Sequence, residues 1–172
     1  SGAGGGTPIA TDGAFAVNST TRIDDITDGT SNTVVISESI LGRPDMSGRD
    51  PAIDYKFHFV TPLTEMACDQ ATIWNYGYPR GFGWVSGEYR CAIYNHYYPP
   101  NSSMPDCIAV RMNGDVTTRF TPYGWRTARS RHPGGINNGF ADGSIRFIAD
   151  QIDPNIWRSL ATIRGNELPG GY

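Results

Sequence analysis

The sequence predicts a single α+β domain in which an antiparallel sheet with glycine-rich loops packs against a C-terminal helix. Three observations lead to this fold class. The 172 residues include 21 glycines and 12 prolines, so turns must be frequent. Asp142-Gly143 lies between two β-compatible runs at 136–141 and 144–149. Asp-Gly in that setting indicates a hairpin, because both central residues of a type I′ turn need φ > 0. Asp153-Pro154 then marks the start of a helix.

The predicted C-terminal helix has a signal at each end. Asp153 suits the N-cap, because its carboxylate can accept a free backbone N–H. Pro154 suits the first helical position, where no N–H is needed. Gly165 suits a C-cap. The apolar residues between these signals recur at helical spacing and predict one buried face, made of Ile156, Trp157, Leu160 and Ile163.

Shorter patterns predict the remaining elements. The clearest strand is the β-branched run 33–39, and weaker strands are predicted over 56–60, 91–98 and 107–112. One helical turn is expected within 22–26, and a short helix around 65–73. We expect residues 1–6 to be flexible and 7–172 to form one domain, because the chain has the usual length of a single domain.

Charge and hydrophobicity exclude several classes of protein. The formal net charge is −3 and no basic run is present, so we expect no nucleic-acid partner. The sequence contains no apolar run of about 18 residues that could span a bilayer and no signal peptide. We therefore expect no direct membrane insertion by this chain.

The three cysteines allow one disulfide and one free thiol. None of them has the spacing of a metal site. We favour a Cys91–Cys107 bridge, which closes a loop of about 15 residues and contributes roughly 3 kcal/mol in the chain-entropy treatment. The alternative joins Cys68 to one of these two residues.

The hairpin carries the first candidate site, His132 with Asp142 and Gly143. Ten residues of extended chain span up to about 33 Å, so a simple hairpin places His132 and Asp142 at opposite ends. We therefore assign these residues structural roles: Asp142 and Gly143 form the turn, and His132 anchors the strand entry. Glu38 ends an apolar strand, and we expect it to be a half-buried partner for an arginine or for His132.

A second candidate is a cation site formed by Asp24, Asp25, Asp28 and Asn32. Clustered carboxylate and amide oxygens suit a hard cation such as Ca²⁺. The alternative to a cation site is a self-capping turn, because the side chains of Asp, Asn, Ser and Thr also form hydrogen bonds with their own backbone. We expect no cofactor, and Ca²⁺ is the one candidate ion.

Two further possibilities concern catalysis and ligand binding. A nucleophilic Ser or Cys could act with His58, His96 or His132, but the G-x-S-x-G elbow is absent and no cysteine has a catalytic signature. We therefore predict that the protein is not an enzyme. Aromatic rings beside Arg80 or Arg90 could stack on sugars, although we expect about two thirds of these rings to fill the core. They are Tyr76, Tyr78, Phe82, Trp84, Tyr89, Tyr94, Tyr97 and Tyr98.

Four blocks of the sequence resemble a bacterial family of pilin-like proteins that is catalogued as a domain of unknown function. His132, nine residues and then Asp142-Gly143 resemble its H-x9-DG signature. The other three blocks are ITDGTSNT at 26–33, YNH at 94–96 with PPNS at 99–102 and Cys107, and WRSL at 157–160 with GNE at 165–167. Members are typically made with a type IV prepilin leader and a long hydrophobic N-terminal helix. This sequence departs from that pattern, since SGAGGG at 1–6 stands where the globular head would begin. We therefore expect a head whose pilin helix is absent from this chain.

The resemblance implies a structural function. We expect the head of a non-catalytic subunit in a type IV pilus-like or pseudopilus-like assembly. It would be displayed outside the cytoplasmic membrane and joined to other pilin-like subunits through the N-terminal helix. The alternative is a surface-exposed module that binds carbohydrate or Ca²⁺ and is carried on a prepilin-type anchor, with a surface glycan as its partner.

Overall fold

Two β-sheets and two short α-helices form the scaffold of the computed structural model, which describes residues 11–15, 19–59, 63–109 and 123–166. The strands are β1 (Val34–Ser37), β2 (Tyr55–His58), β3 (Ile73–Trp74), β4 (Asp106–Ala109), β5 (Tyr123–Trp125), β6 (Gly135–Phe140) and β7 (Ile145–Ala149). The helices are α1 (Glu65–Gln70) and α2 (Pro154–Ser159), and Ile23–Asp25 forms one 3₁₀ turn. The predicted α+β class is confirmed. Residues 1–6 lie outside the described residues.

The predicted hairpin forms the centre of a three-stranded antiparallel sheet in the order β1-β6-β7. Its turn differs from the predicted two-residue type I′ turn. The N–H of Gly143 donates to the carbonyl of Phe140 at 2.9 Å, and the N–H of Phe140 donates to the carbonyl of Ser144 at 2.9 Å. Gly143 alone in this loop has a positive φ, at 85°. These contacts describe a type I turn followed by a left-handed glycine, the usual three-residue hairpin loop.

A second sheet has four strands in the order β3-β2-β4-β5. Its outer pairs are antiparallel, but β2 and β4 run parallel, in register from Tyr55 opposite Asp106 to His58 opposite Ala109. The sequence suggested a single antiparallel sheet. Parallel neighbours need a long crossover, and here the chain between β2 and β4 includes α1 and β3.

The C-terminal helix begins as predicted and ends earlier than predicted. Asp153 Oδ1 accepts the N–H groups of Asn155 at 2.7 Å and Ile156 at 3.3 Å. The helix ends at Ser159, so the C-cap predicted at Gly165 is wrong; Leu160 is the C-cap. The chain leaves the helix there because the carbonyl of Ile163 accepts a backbone hydrogen bond from Thr27 at 2.8 Å, which ties this segment to the start of the fold.

The segment 91–98, predicted as a strand, consists of turns and bends. Its polar side chains are buried and make specific contacts instead. Asn95 Nδ2 donates to the carbonyl of Gly124 at 2.8 Å. His96 Nδ1 lies 2.6 Å from the carbonyl of Trp157, and the two rings stack at 3.4 Å. No helix in the described part of the chain is long and apolar enough to cross a membrane.

Among the described residues, apolar side chains gather in three clusters that follow the two sheets. The first lies between the three-stranded sheet and α2, and contains Val34, Ala128, Ile136, Phe140, Ile148, Trp157 and Leu160. The second and third cover the four-stranded sheet and contain Leu63, Cys68, Cys107, Ala109, Tyr123 and Trp125, and then Tyr55, Phe57, Tyr89 and Ile108.

The predicted Cys91–Cys107 disulfide is wrong. Cys68 is bonded to Cys107, with their Cα atoms 5.9 Å apart, and Cys91 is a buried free thiol. Cys68 on α1 and Cys107 on β4 share the second core cluster. Cys91 lies elsewhere, with its thiol 3.4 Å from a carboxylate oxygen of Glu88. Helix packing on the sheet therefore decides the pairing, and spacing along the chain does not.

Candidate functional site

His132 and Glu38 join the entry of β6 to the end of β1. His132 Nε2 lies 3.0 Å from Glu38 Oε1, which is the pairing expected for Glu38. Asn137 holds the same carboxylate from β6, donating its backbone N–H to Oε2 at 2.8 Å and its side-chain amide to Oε1 at 3.3 Å. Ser130 accepts the N–H of His132 at 3.1 Å and donates to the carbonyl of Gly135 at 2.8 Å.

These contacts change the acidity of Glu38. Partial burial favours the protonated carboxyl group and acts to raise the pKa. The hydrogen bonds from Asn137 and the neighbouring His132 outweigh burial, so the pKa of Glu38 is lowered from its ordinary value of 4.5. The carboxylate is therefore held charged between the two strands.

Asp142 and His132 are not brought together. Asp142 Oδ1 accepts the N–H of Ser144 at 2.8 Å, within the hairpin loop. His132 precedes β6 and Asp142 follows it, and the six residues of that strand extend about 20 Å. The structure thus places the two residues at opposite ends of the hairpin.

Three of the four candidate cation ligands are engaged in hydrogen bonds or ion pairs within the chain. Asp28 accepts the backbone N–H groups of Gly165 at 2.7 Å and Asn166 at 2.9 Å. Asp25 forms an ion pair with Arg164 at 2.6 Å. Asn32 donates to the carbonyl of Asp28 at 3.1 Å, and Asp24 is exposed. Across the described residues, no three His, Cys, Asp or Glu side chains are placed to hold a metal ion.

His96, one of the histidines considered for catalysis, lies in the core. Burial lowers its pKa to about 3, so the ring is neutral and stacks on Trp157. The histidine of the YNH block at 94–96 is therefore a core residue.

Half of the aromatic residues considered for ligand binding are exposed, so fewer of them lie in the core than the expected two thirds. Tyr76, Tyr78, Phe82 and Trp84 are exposed, and Trp84 is 88% exposed. Tyr78 and Phe82 stack with their centroids 4.2 Å apart. Arg90 lies 5.6 Å from each of these centroids. The other four rings are buried or half-buried: Tyr89, Tyr94, Tyr97 and Tyr98.

Three arginines are buried around one aspartate, which begins β4. Arg80 Nε lies 2.7 Å from Asp106 Oδ2, and Arg129 Nη2 lies 3.2 Å from Oδ1. Arg126 donates to the carbonyls of Tyr89 and Cys91 and forms no ion pair with any described residue. We refer to Arg80, Arg126, Arg129 and Asp106 as the arginine cluster.

The arginine cluster has more positive than negative charge. Burial, followed by the charge of Arg80, lowers the pKa of Arg126 to about 9. Burial also lowers the pKa of Arg80, and Asp106 opposes that change. The protein interior here contains three guanidinium groups and a single paired carboxylate. Such an imbalance of buried charge is unusual, because burying a charge without a partner is costly.

A groove of about 590 Å³ lies beside the arginine cluster. One wall is the segment after β1, and the other is the segment before β6. Arg126 Nη2 donates to Ser39 Oγ at 2.9 Å, and Arg80 Nη1 donates to the carbonyl of Ile40 at 2.9 Å. The groove is lined by Glu38, Ser39, Ile40, Leu41, Arg129, Ser130, Arg131 and His132.

Comparison with known proteins identifies the family. Residues 1–155 match the family described as "Protein of unknown function (DUF1559)". The chain belongs to the DUF1559 family. No curated protein and no solved structure matches it.

Sequence reasoning on this DUF1559 domain missed the arginine cluster and the groove. The available signal was the use of thirteen arginines against a single lysine, Lys56. Arginine suits buried positions, because its planar group can donate to several fixed acceptors at once and stays charged. That composition indicated buried guanidinium groups without showing which of the thirteen were buried.

Proposed function

We propose that this DUF1559 domain is the globular head of a non-catalytic, pilin-like subunit in a type IV pilus-like or secretion-pseudopilus-like assembly. Family membership supports the proposal. The observation that carries it is the contact among Glu38, His132 and Asn137, in which the motif histidine helps to join two strands. This contact supports a structural role for His132.

The proposed location is outside the cytoplasmic membrane. The Cys68–Cys107 disulfide supports it, because structural disulfides persist in oxidising compartments. The proposed partners are other pilin-like subunits, joined through the N-terminal hydrophobic helix that the resemblance implies for the full-length protein.

Deletion and complementation in the source bacterium test this function. We expect deletion of the gene to abolish surface filaments, seen by electron microscopy, or secretion through the apparatus. Wild-type protein and Trp84→Ala, which changes only an exposed ring, should both restore the lost phenotype. Filaments and secretion that persist after deletion would contradict the structural role.

A second candidate function is carbohydrate binding at the exposed rings. The stacked Tyr78 and Phe82 with Arg90 beside them, and the exposed Trp84 two positions after Phe82, favour it, because flat rings stack on the apolar faces of sugars. A glycan array would show binding by the wild type that is lost in Trp84→Ala. It should persist in Ile145→Ala, which removes an exposed apolar side chain from the three-stranded sheet. Equal binding by both variants, or none by the wild type, would rule this candidate out.

A further inference from the structure

We propose that the groove between segments 38–41 and 129–132 binds a small organic anion through its carboxylate or phosphate group. The proposal does not depend on the pilin-like function, since it concerns a surface that any assembly could display. It rests on the charge of the arginine cluster, on the donors around the groove and on the size of the groove.

Charge is the first support. Arg80 and Arg129 share the single carboxylate of Asp106, and Arg126 has only neutral acceptors among the described residues. Each of these residues is at most 3% exposed to solvent. A buried cation that lacks a counter-ion is costly. An anion bound beside the cluster would offset this excess positive charge.

The donors are the second support. Arg129 lines the groove, and its Nη groups donate to the carbonyls of Ser102 and Met104 and to Asp106, so it contributes positive charge to the groove wall. Ser39 is exposed, and its hydroxyl oxygen already accepts from Arg126, so its proton is available to an acceptor in the groove. Arg131 is exposed at the rim and His132 stands beside it. These are the groups that bind carboxylates and phosphates in proteins.

The carboxylate of Glu38 does not prevent anion binding. Its two oxygens accept three hydrogen bonds, from His132 and from the backbone and side chain of Asn137. These bonds compensate its charge locally and hold the carboxylate against β6. The remaining charged groups that line the groove are basic: Arg129, Arg131 and the imidazole of His132 when protonated.

Size and lining narrow the class of ligand. A volume of about 590 Å³ is much larger than an inorganic ion requires and falls in the range of small-molecule sites. Ile40 and Leu41 add apolar surface, and Leu41 is largely exposed. The ligand should therefore combine one oxyanion with a less polar body, as an acidic or phosphorylated sugar does.

Two-dimensional amide NMR titration of the ¹⁵N-labelled protein tests the proposal. The probes are glucuronate, glucose 6-phosphate, inorganic phosphate and neutral glucose. We expect glucuronate or glucose 6-phosphate to shift resonances of 38–41 and 129–132 at millimolar concentrations, while glucose does not. A response to one sugar alone identifies the carboxylate or the phosphate as the group recognised. Equal responses to inorganic phosphate and glucose 6-phosphate would overturn the sugar-sized ligand, and a matching response to glucose would overturn the anion.

Variants locate the binding. Arg131→Gln removes an exposed guanidinium and should weaken binding about tenfold, equivalent to about 1.4 kcal/mol. Ser39→Ala should also weaken it. Arg43→Gln, which removes an exposed arginine outside the groove, should leave the affinity unchanged. Thermal unfolding checks that each variant is folded. Unchanged affinity in Arg131→Gln and Ser39→Ala, or no shifts at the groove in the wild type, would overturn the proposal.

Discussion

Asp106 is the position where one small change should destabilise this protein most clearly. Asp106→Asn keeps the shape of the side chain and removes its charge. The amide oxygen can still accept the N–H of Thr127, which lies 3.1 Å from Oδ1. Arg80 and Arg129, however, lose the carboxylate to which they are paired at 2.7 and 3.2 Å. Removing one member of a buried ion pair costs about 3–5 kcal/mol, because the other charge stays buried.

That cost is large compared with the stability of a typical domain, which is about 5–15 kcal/mol. For a chain of this length each 1 kcal/mol lowers the melting temperature by about 2–4 °C, so the expected decrease is on the order of 10 °C. Urea unfolding and differential scanning calorimetry of the wild type and variant measure it. The control is Arg43→Gln, which breaks the exposed Arg43–Asp50 pair and should cost less than about 1 kcal/mol.

A loss below about 1 kcal/mol in Asp106→Asn would refute the reasoning. It would mean that the buried guanidinium groups are compensated without the carboxylate. The excess positive charge beside the groove would then lose its significance as well.

Three further predictions concern the hairpin, Glu38 and the disulfide. Gly143→Val forces a β-branched residue to φ 85° and should lower the free energy of unfolding by about 1–3 kcal/mol, measured by urea unfolding. The control Gly139→Ala, whose Cβ would lie 3.7 Å from its nearest neighbour, should be nearly neutral. Similar losses in both variants would contradict the turn geometry. Glu38→Gln should lower the melting temperature at neutral pH. The difference in melting temperature between wild type and variant should shrink as the pH falls below 4.5, because a carboxyl group whose pKa is lowered in the folded state stabilises the fold only while it is charged. A difference that stays constant down to about pH 3 would contradict this linkage. Peptide mapping without reductant should find Cys68 linked to Cys107, which are separated by 39 positions. Replacing both cysteines by alanine should lower the free energy of unfolding by about 4 kcal/mol, measured by calorimetry. A link to Cys91 would refute the pairing.

The parts of the fold that sequence predicted are those with local causes. Asp142-Gly143 needs only its own backbone preferences to form a turn, and Asp153-Pro154 needs only its own capping chemistry. The β-branched residues before Glu38 likewise favour an extended chain. Each of these elements was found close to its predicted position.

The parts that sequence missed depend on distant residues. Nothing near Cys68 shows that α1 will pack on β4, so the cysteine partner could not be derived from spacing. The run 91–98 has the composition of a strand, but burial of Asn95 and His96 against Gly124 and Trp157 overrides that preference. The arginine cluster likewise joins residues from three separate loops and strands.

The pairing of β1 with β6 has a consequence for how the protein is made. Val34 lies opposite Phe140, about a hundred positions later, and its N–H donates to the carbonyl of Leu160. A chain emerging from a ribosome with its N-terminus first therefore exposes β1 long before its partner arrives. The pairing of β1 with β6 must wait until β6 has emerged, because this long-range contact cannot form earlier. Until β6 arrives, the unpaired strand β1 needs protection from aggregation.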